Sequence, residues 1–257
     1  MTNILEGRKI VVMGLRNKWS LAWGIAQSVQ RFGGELILTC QGEREQLSIQ
    51  KLFEEEGIGH MPVYPCDVSK DEELERTFQQ IGEKHGTIHG LAHCIAFANT
   101  KNLREPFVNT GRDDYLLAQN ISVYSLLAAA RAAAPLMKDG GAIVTLSFLG
   151  GERVVPNYNV MGVCKAALES TVRYLAGDMG PAGIRVYAIS AGPVKTLAAK
   201  AIGDFDTMLE YVRERAPLRR ATDIGEVGDT AAFLFSDMAR GITGETIYVD
   251  CGYHILG

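Results

Sequence analysis

The chain has no apolar run approaching the ~18 residues that a membrane-spanning helix needs, so no membrane attachment is expected. Its opening, Met1-Thr-Asn-Ile-Leu-Glu-Gly-Arg8, lacks the basic-then-apolar form of a secretory signal, and a cytoplasmic location is the expectation. No run of about five basic residues occurs either. With 26 Lys and Arg against 30 Asp and Glu the net charge is −4, which argues against nucleic-acid binding. Cysteines are few, at 40, 66, 94, 164 and 251, and none forms a CxxC pair. Odd in number, scattered and set among apolar neighbours, they predict reduced core thiols and argue against a disulfide frame or a metal site. Linkers, repeats and low-complexity stretches are missing as well, so one domain over 1–257 is expected.

What is present is alternation. Short apolar runs rich in Val and Ile occupy 9–13, 35–40, 60–65, 90–95, 142–147, 185–190 and 246–249. Their near-continuous apolar character predicts strands buried on both faces. Amphipathic segments fall between them, at 20–32, 44–56, 71–84, 112–137, 158–179 and 224–236, the last opened by Thr222-Asp223 as a cap. Such alternation with right-handed crossovers predicts an α/β Rossmann fold: a doubly wound, seven-stranded parallel sheet with helices on both faces. One irregular insertion, 194–220, follows the sixth strand. Its small residues and sparse capping fit a lid beside the carboxyl ends of the strands, and an ordinary surface helix pair is the equal alternative.

The first strand runs into Gly14, a polar loop, and a helix opened by Ser20 and Leu21. A glycine turn followed by free amides at a helix start suits a pyrophosphate, although one Gly and one Ser stand here for the three glycines of the usual fingerprint. Asp67-Val68 follows the third strand, where a carboxylate could accept from an adenine amino group or cap a helix. His93-Cys94-Ile95-Ala96-Phe97-Ala98 closes the fourth strand with small residues that let the backbone run beside a ribose. After the second strand come Gln41, Glu43 and Arg44. Gln41 can bond either ribose, Glu43 repels a 2′-phosphate and Arg44 attracts one; the balance leans to NADH, with NADPH as the second choice.

Tyr158 and Lys165 lie seven residues apart. On a helix this spacing puts both side chains on nearly one face, ~10 Å apart along the axis. A phenol beside an ammonium suggests proton donation, with the Lys lowering the phenol's pKa and holding a sugar hydroxyl.

Taken together these residues resemble a short-chain dehydrogenase/reductase along nearly the whole chain. More closely, they resemble the bacterial NAD(P)H-dependent enoyl-acyl-carrier-protein reductases. The usual Tyr-x3-Lys is absent, because Gly162 stands four after Tyr158. The Tyr-x6-Lys spacing, the G-x5-S-x-A turn (Gly14, Ser20, Ala22) and Pro156-Asn-Tyr158-Asn-Val-Met161-Gly162 match the enoyl-reductase branch. So do Ser190-Ala-Gly192-Pro193-Val194-Lys195-Thr196-Leu197-Ala198 and the closing Gly241-Ile-Thr-Gly244 and Val249-Asp250.

The resemblance implies dinucleotide contacts at Gly14, Ser20, Leu21, Gln41, Asp67, Val68, Ile95, Lys165, Val194, Lys195, Thr196, Leu197 and Ala198. It implies Tyr158 as donor, Ala98 beside the acyl substrate, and an acidic acyl carrier protein as partner. Lys195, Lys200, Arg219 and Arg220 would meet that partner. A homotetramer is implied as well, and the alanines at 128–130 and 132–134 could pack against a neighbour or against the chain's own sheet. Phe97, Phe148, Met161, Ala198 and Ile202 are candidate walls of an apolar pocket. Phe148 departs from the family, whose members usually carry Tyr there; the ring stays and the hydroxyl goes. The implied reaction is reduction of the double bond of a trans-2-enoyl thioester. Two alternatives stand beside it: a 3-oxoacyl reductase using Thr145 or Ser147 on the carbonyl oxygen, and a silent dinucleotide-binding module.

Overall fold

The computed structural model describes residues 3–59, 61–195 and 205–256. Seven parallel strands lie in the order β3-β2-β1-β4-β5-β6-β7. They are β1 (Lys9–Met13), β2 (Glu35–Cys40), β3 (Val63–Pro65), β4 (Gly90–His93), β5 (Gly141–Ser147), β6 (Ile184–Ala191) and β7 (Thr246–Val249). The order reverses beside β1, between β2 and β4, so a crevice opens there at the carboxyl ends of the strands. Alternate residues of each strand feed two apolar layers. Val12, Leu38, Ala92 and Val144 face one layer, and Val11, Ile37, Leu91 and Ile143 face the other. Every one of these eight is buried, each worth ~1.5–3 kcal/mol for a Val, Leu or Ile, which is why the runs show no polar alternation.

The helices are α1 (Leu21–Arg31), α2 (Glu43–Glu55), α3 (Asp71–His85), α4 (Arg112–Gln119), α5 (Ser125–Ala133), α6 (Val160–Met179), α7 (Phe205–Arg215) and α8 (Ile224–Phe235). Asp223 and Glu226 close the expected cap of α8 as a reciprocal box. Three expectations change. The strand at 60–65 is described only over Val63–Pro65, an edge strand paired to β2 alone, and His60 lies outside the described residues. The segment 112–137 is not one α-helix: a π-turn at Asn120–Tyr124 separates α4 from α5, and a 3-10 turn, Ala134–Leu136, closes it. The π-turn has an identifiable partner, since Ser122 Oγ accepts from the Phe97 amide at 3.0 Å and donates to the Phe97 carbonyl at 3.1 Å. The third change bears on the site: α6 begins at Val160, after Tyr158. Among the described residues no helix is long and apolar enough to cross a membrane.

Candidate active site

β1 delivers the chain to Gly14, whose backbone is left-handed at φ 83°. A Cβ there would collide with the Cys94 carbonyl oxygen, so glycine is needed both for the turn and for the closeness of β1 to β4. Ser20 is extended and begins α1, yet its Oγ donates to the Asn17 carbonyl at 2.6 Å and caps nothing. The first amides of α1, at Leu21 and Ala22, precede the helix's own hydrogen-bond ladder and suit an anion. Gln41 is exposed at the end of β2, and Ile95 is half-buried behind Gly14. Asp67 does the local work of a turn. Its Oδ1 accepts from the Ser69 amide at 3.1 Å and the Ser69 hydroxyl at 2.7 Å. Burial opposes its ionisation, but these bonds and Lys70 hold the carboxyl below its ordinary range. Val68 beside it is core. Strand order therefore gathers Gly14, Ser20, Leu21, Gln41, Asp67, Val68 and Ile95 along one edge.

At the end of β5, Phe148 meets Tyr158 and the Leu146 carbonyl meets Lys165, and Tyr158 and Lys165 are not two positions on one helix. Tyr158 sits in the turn before α6, flanked by Asn157 at φ 63° and Asn159 at φ 43°. Its ring meets Phe148 edge-on, centroids 4.8 Å apart. Gly150 leaves room for that ring, since a Cβ at 150 would strike it. Burial pushes the phenol's pKa well above its ordinary value, with Cys164 adding to the rise. The expectation that Lys165 lowers it is corrected here: desolvation wins, and the phenol is a neutral hydrogen-bond donor.

Lys165 is 5% exposed and donates from Nζ to the Leu146 carbonyl at 2.7 Å. Burial draws its pKa down from 10.5 to about 8, against the pull of Cys164, Glu169 and Cys94. The next turn of α6 carries Glu169, also buried, which accepts from the Ser147 hydroxyl. Burial raises this carboxyl despite that bond. Leu146, Ser147 and Phe148, three consecutive residues at the end of β5, thus touch Lys165, Glu169 and Tyr158 in turn. One strand over, His93 is fully buried between Thr145 Oγ1 at 3.1 Å and Ser125 Oγ at 2.8 Å. Burial and then Lys165 lower its pKa to about 3, so the imidazole is neutral.

Thr145 and Ser147, the hydroxyls a carbonyl reductase would use, are both buried and bonded to His93 and Glu169. Ala98, Phe148, Tyr158 and Met161 share one apolar cluster with Leu103 and Cys164, whereas Phe97 lies outside it and is 43% exposed. A cavity of about 520 Å³ runs from Phe148 and Pro193 beneath α7 at Met208 and Tyr211 to Tyr253 and Leu256. Val194 is half-buried and Lys195 exposed, the latter paired with Asp206 at 2.9 Å. Arg220 pairs with Glu226 and Arg219 bonds the Glu214 carbonyl. Thr196, Leu197, Ala198, Lys200 and Ile202 lie outside the described residues. The alanines at 128–130 and 133 are buried against the chain's own sheet. Glu169, His93 and Ser122 were not singled out from sequence as functional; Glu169's spacing of four from Lys165 was the one available signal.

A doubly wound sheet with this glycine turn and with Tyr158 and Lys165 both buried against the end of β5 defines a dinucleotide-dependent reductase of Rossmann type. Residues 14–254 match the family profile described as enoyl-(acyl carrier protein) reductase. The chain is 58% identical over 254 residues to the enoyl-acyl-carrier-protein reductase (NADH) FabI of Bacillus cereus, with 99% of each covered. It is 50% identical over 252 residues to the NADPH enzyme of the same name from Staphylococcus aureus, with 98% of each covered. Its fold is similar to the crystal structure of the Bacillus cereus enoyl-acyl carrier protein reductase with NADP+ and indole naphthyridinone, at TM-score 0.97, 57% identity and 100% of both chains. The chain belongs to the enoyl-acyl-carrier-protein reductase family.

Proposed function

We propose that the chain reduces the carbon–carbon double bond of trans-2-enoyl thioesters carried on acyl carrier protein, the last step of the fatty-acid elongation cycle, with NADH and secondarily NADPH as reductant. The observation that carries the reading is the buried, protonated Tyr158 phenol packed on Phe148, with Lys165 anchored on the Leu146 carbonyl two residues before Phe148 on the same strand end. Bound NADH supplies a hydride to the β-carbon of the substrate. Gly14, Ser20, Leu21, Gln41, Asp67, Val68, Ile95, Lys165 and 194–198 are the residues we assign to holding it. The glycine turn and the unladdered amides of α1 fit that assignment.

As charge gathers on the thioester oxygen, Tyr158 donates a hydrogen bond to it, an interaction stronger in the transition state than in the ground state. A high phenol pKa suits this role, because the proton stays on Tyr158 while the bond strengthens. Lys165 has two further protons for ribose hydroxyls and sets a positive field across the site, and the enolate left by hydride addition takes a proton at its α-carbon from solvent. Ala98, Phe148 and Met161 wall the acyl side and exclude water.

We assign 194–220 as a substrate lid on a single domain and read the protein as cytoplasmic. A homotetramer is favoured by exposed apolar side chains on α4, α5 and the turn between them (Leu116, Tyr124, Leu127) and on α6 (Tyr174). The test is NADH oxidation, followed spectrophotometrically, with crotonyl and acetoacetyl thioesters in parallel and NADPH as the second reductant. Turnover on the enoyl substrate supports the reading. Turnover on acetoacetyl alone, or cofactor binding without turnover at any chain length, refutes it.

A further inference from the structure

Asn159 has a backbone that an L-residue rarely adopts, φ 43° with ψ −119°, immediately after Tyr158. Such a conformation costs on the order of 1–3 kcal/mol and persists when its surroundings hold it. An Asn at the residue before a helix ordinarily acts as a cap, its side-chain oxygen accepting from the first turn. Here it makes no cap hydrogen bond. Its amide nitrogen instead donates twice, to the Asn102 carbonyl at 3.0 Å and the Glu105 carbonyl at 2.9 Å. Both acceptors lie on the loop between β4 and α4, which includes the 3-10 turn Thr100–Leu103. Ala98 and Leu103 on this same loop pack in one cluster with Tyr158.

The backbone on the helix side is fixed as well. The Tyr158 carbonyl accepts from the Met161 amide at 3.0 Å, and the Asn159 carbonyl accepts from the Gly162 amide at 2.9 Å. Tyr158 is therefore held between a helix start and a forked tether, and the tether reaches the loop that walls the acyl side. Glycine would adopt this backbone more cheaply but could not reach the loop. The choice of Asn points to its amide.

We propose that Asn159 is a positioning residue. It ties the turn carrying the hydrogen-bond-donating phenol to the loop at 98–105, so that the phenol is aligned with the substrate wall. This rests on Tyr158 being the donor of the proposed reaction. Misplacement by about 1 Å at a reacting group costs on the order of 10²-fold in rate. The expected result for Asn159→Gly is thus a fall in kcat of roughly 10- to 100-fold, with the KM for NADH and the Tm close to those of the parent.

Asn159→Asp keeps the shape and a cap-competent oxygen but removes the amide donor. It should show the same split, which covers the case in which glycine unfolds the turn. Parent-like kcat in either folded variant overturns the proposal, as does a loss of kcat matched by an equal rise in the KM for NADH. A readout independent of turnover is the NMR signal of isotope-labelled Tyr158. It should shift and broaden in both variants, and an unchanged signal also overturns the proposal. Parent protein assayed in parallel keeps the two questions apart, because an inactive parent counts against the enoyl-reductase reading while the Tyr158 signal still decides the tether.

Discussion

Around the β1–α1 turn the crevice is built largely from exposed and half-buried residues and from backbone amides, and its polar groups, Ser20 on Asn17 and Asp67 with Ser69 and Lys70, are satisfied within a few residues of chain. At the β5–α6 junction the chain instead buries Tyr158, Lys165 and Glu169, with His93 one strand away, and satisfies Lys165, Glu169 and His93 across long sequence separations. A cofactor half made of backbone tolerates side-chain change as long as the turn survives. A donor half made of buried polar atoms does not, because each atom removed leaves another unsatisfied in a low-dielectric setting. Burial gives this half its chemistry as well: it keeps the phenol protonated and draws Lys165 down to about 8.

The sharpest way to break the contrast is Lys165→Met. Turnover should fall on the order of 10²-fold, as for loss of an electrostatic contact in a preorganised site. Stability should respond to pH in a defined direction. Between about pH 8 and 10.5 the unfolded chain keeps the Lys165 proton and the folded chain sheds it, so wild type gains stability with rising pH. Relative to the Met variant the gain amounts to roughly 3 kcal/mol. Denaturant melts of both proteins across that range check it, and a constant difference would show that Lys165 is not desolvated.

Glu169→Leu comes next. Loss of the partner to the buried Ser147 hydroxyl should cost about 1–3 kcal/mol and lower kcat more than it raises the KM for NADH, since Ser147 lies between the two β5 residues that touch Lys165 and Tyr158. Equal effects on both constants would remove the distinction between the halves. In the cofactor half, Gly14→Ala should cost about 1–3 kcal/mol and weaken NADH binding, because a side chain meets the Cys94 carbonyl in a left-handed turn. Calorimetric titration with NADH reads this out. The smallest effect belongs to Phe148→Tyr. Adding one hydroxyl beside Tyr158 should change kcat by less than about tenfold, the limit set by one net hydrogen bond. A larger gain would mean that the missing hydroxyl relays a proton.

The difference between the halves also decides what the sequence reveals. Apolar runs buried on both faces marked the seven strands, and five of the observed strands lie within one residue of the expected ends (β1, β2, β5, β6, β7). The placement of Gly14, Ser20, Asp67 and Ile95 at the strand ends was legible because each sits at a fixed offset from a strand end. Tyr158 and Lys165 were legible by spacing, but the helical reason for that spacing was wrong. Pro156 and the two left-handed asparagines delay α6 to Val160, and no periodicity signals such backbone. The π-turn at Asn120–Tyr124 was hidden for a related reason, since it answers hydrogen bonds from Phe97, 25 residues away. Glu169 and His93 read as ordinary polar residues until the sheet places Ser147 and Thr145 against them.

The central claim is that a neutral, buried Tyr158 stabilises charge on the thioester oxygen without serving to bind the cofactor. Single-turnover NADH oxidation by Tyr158→Phe with a saturating trans-2-enoyl thioester tests it most directly. The expected rate is lower by ~10²–10³-fold at unchanged NADH affinity. A near-normal rate, or a loss traced entirely to weaker NADH binding, would contradict it.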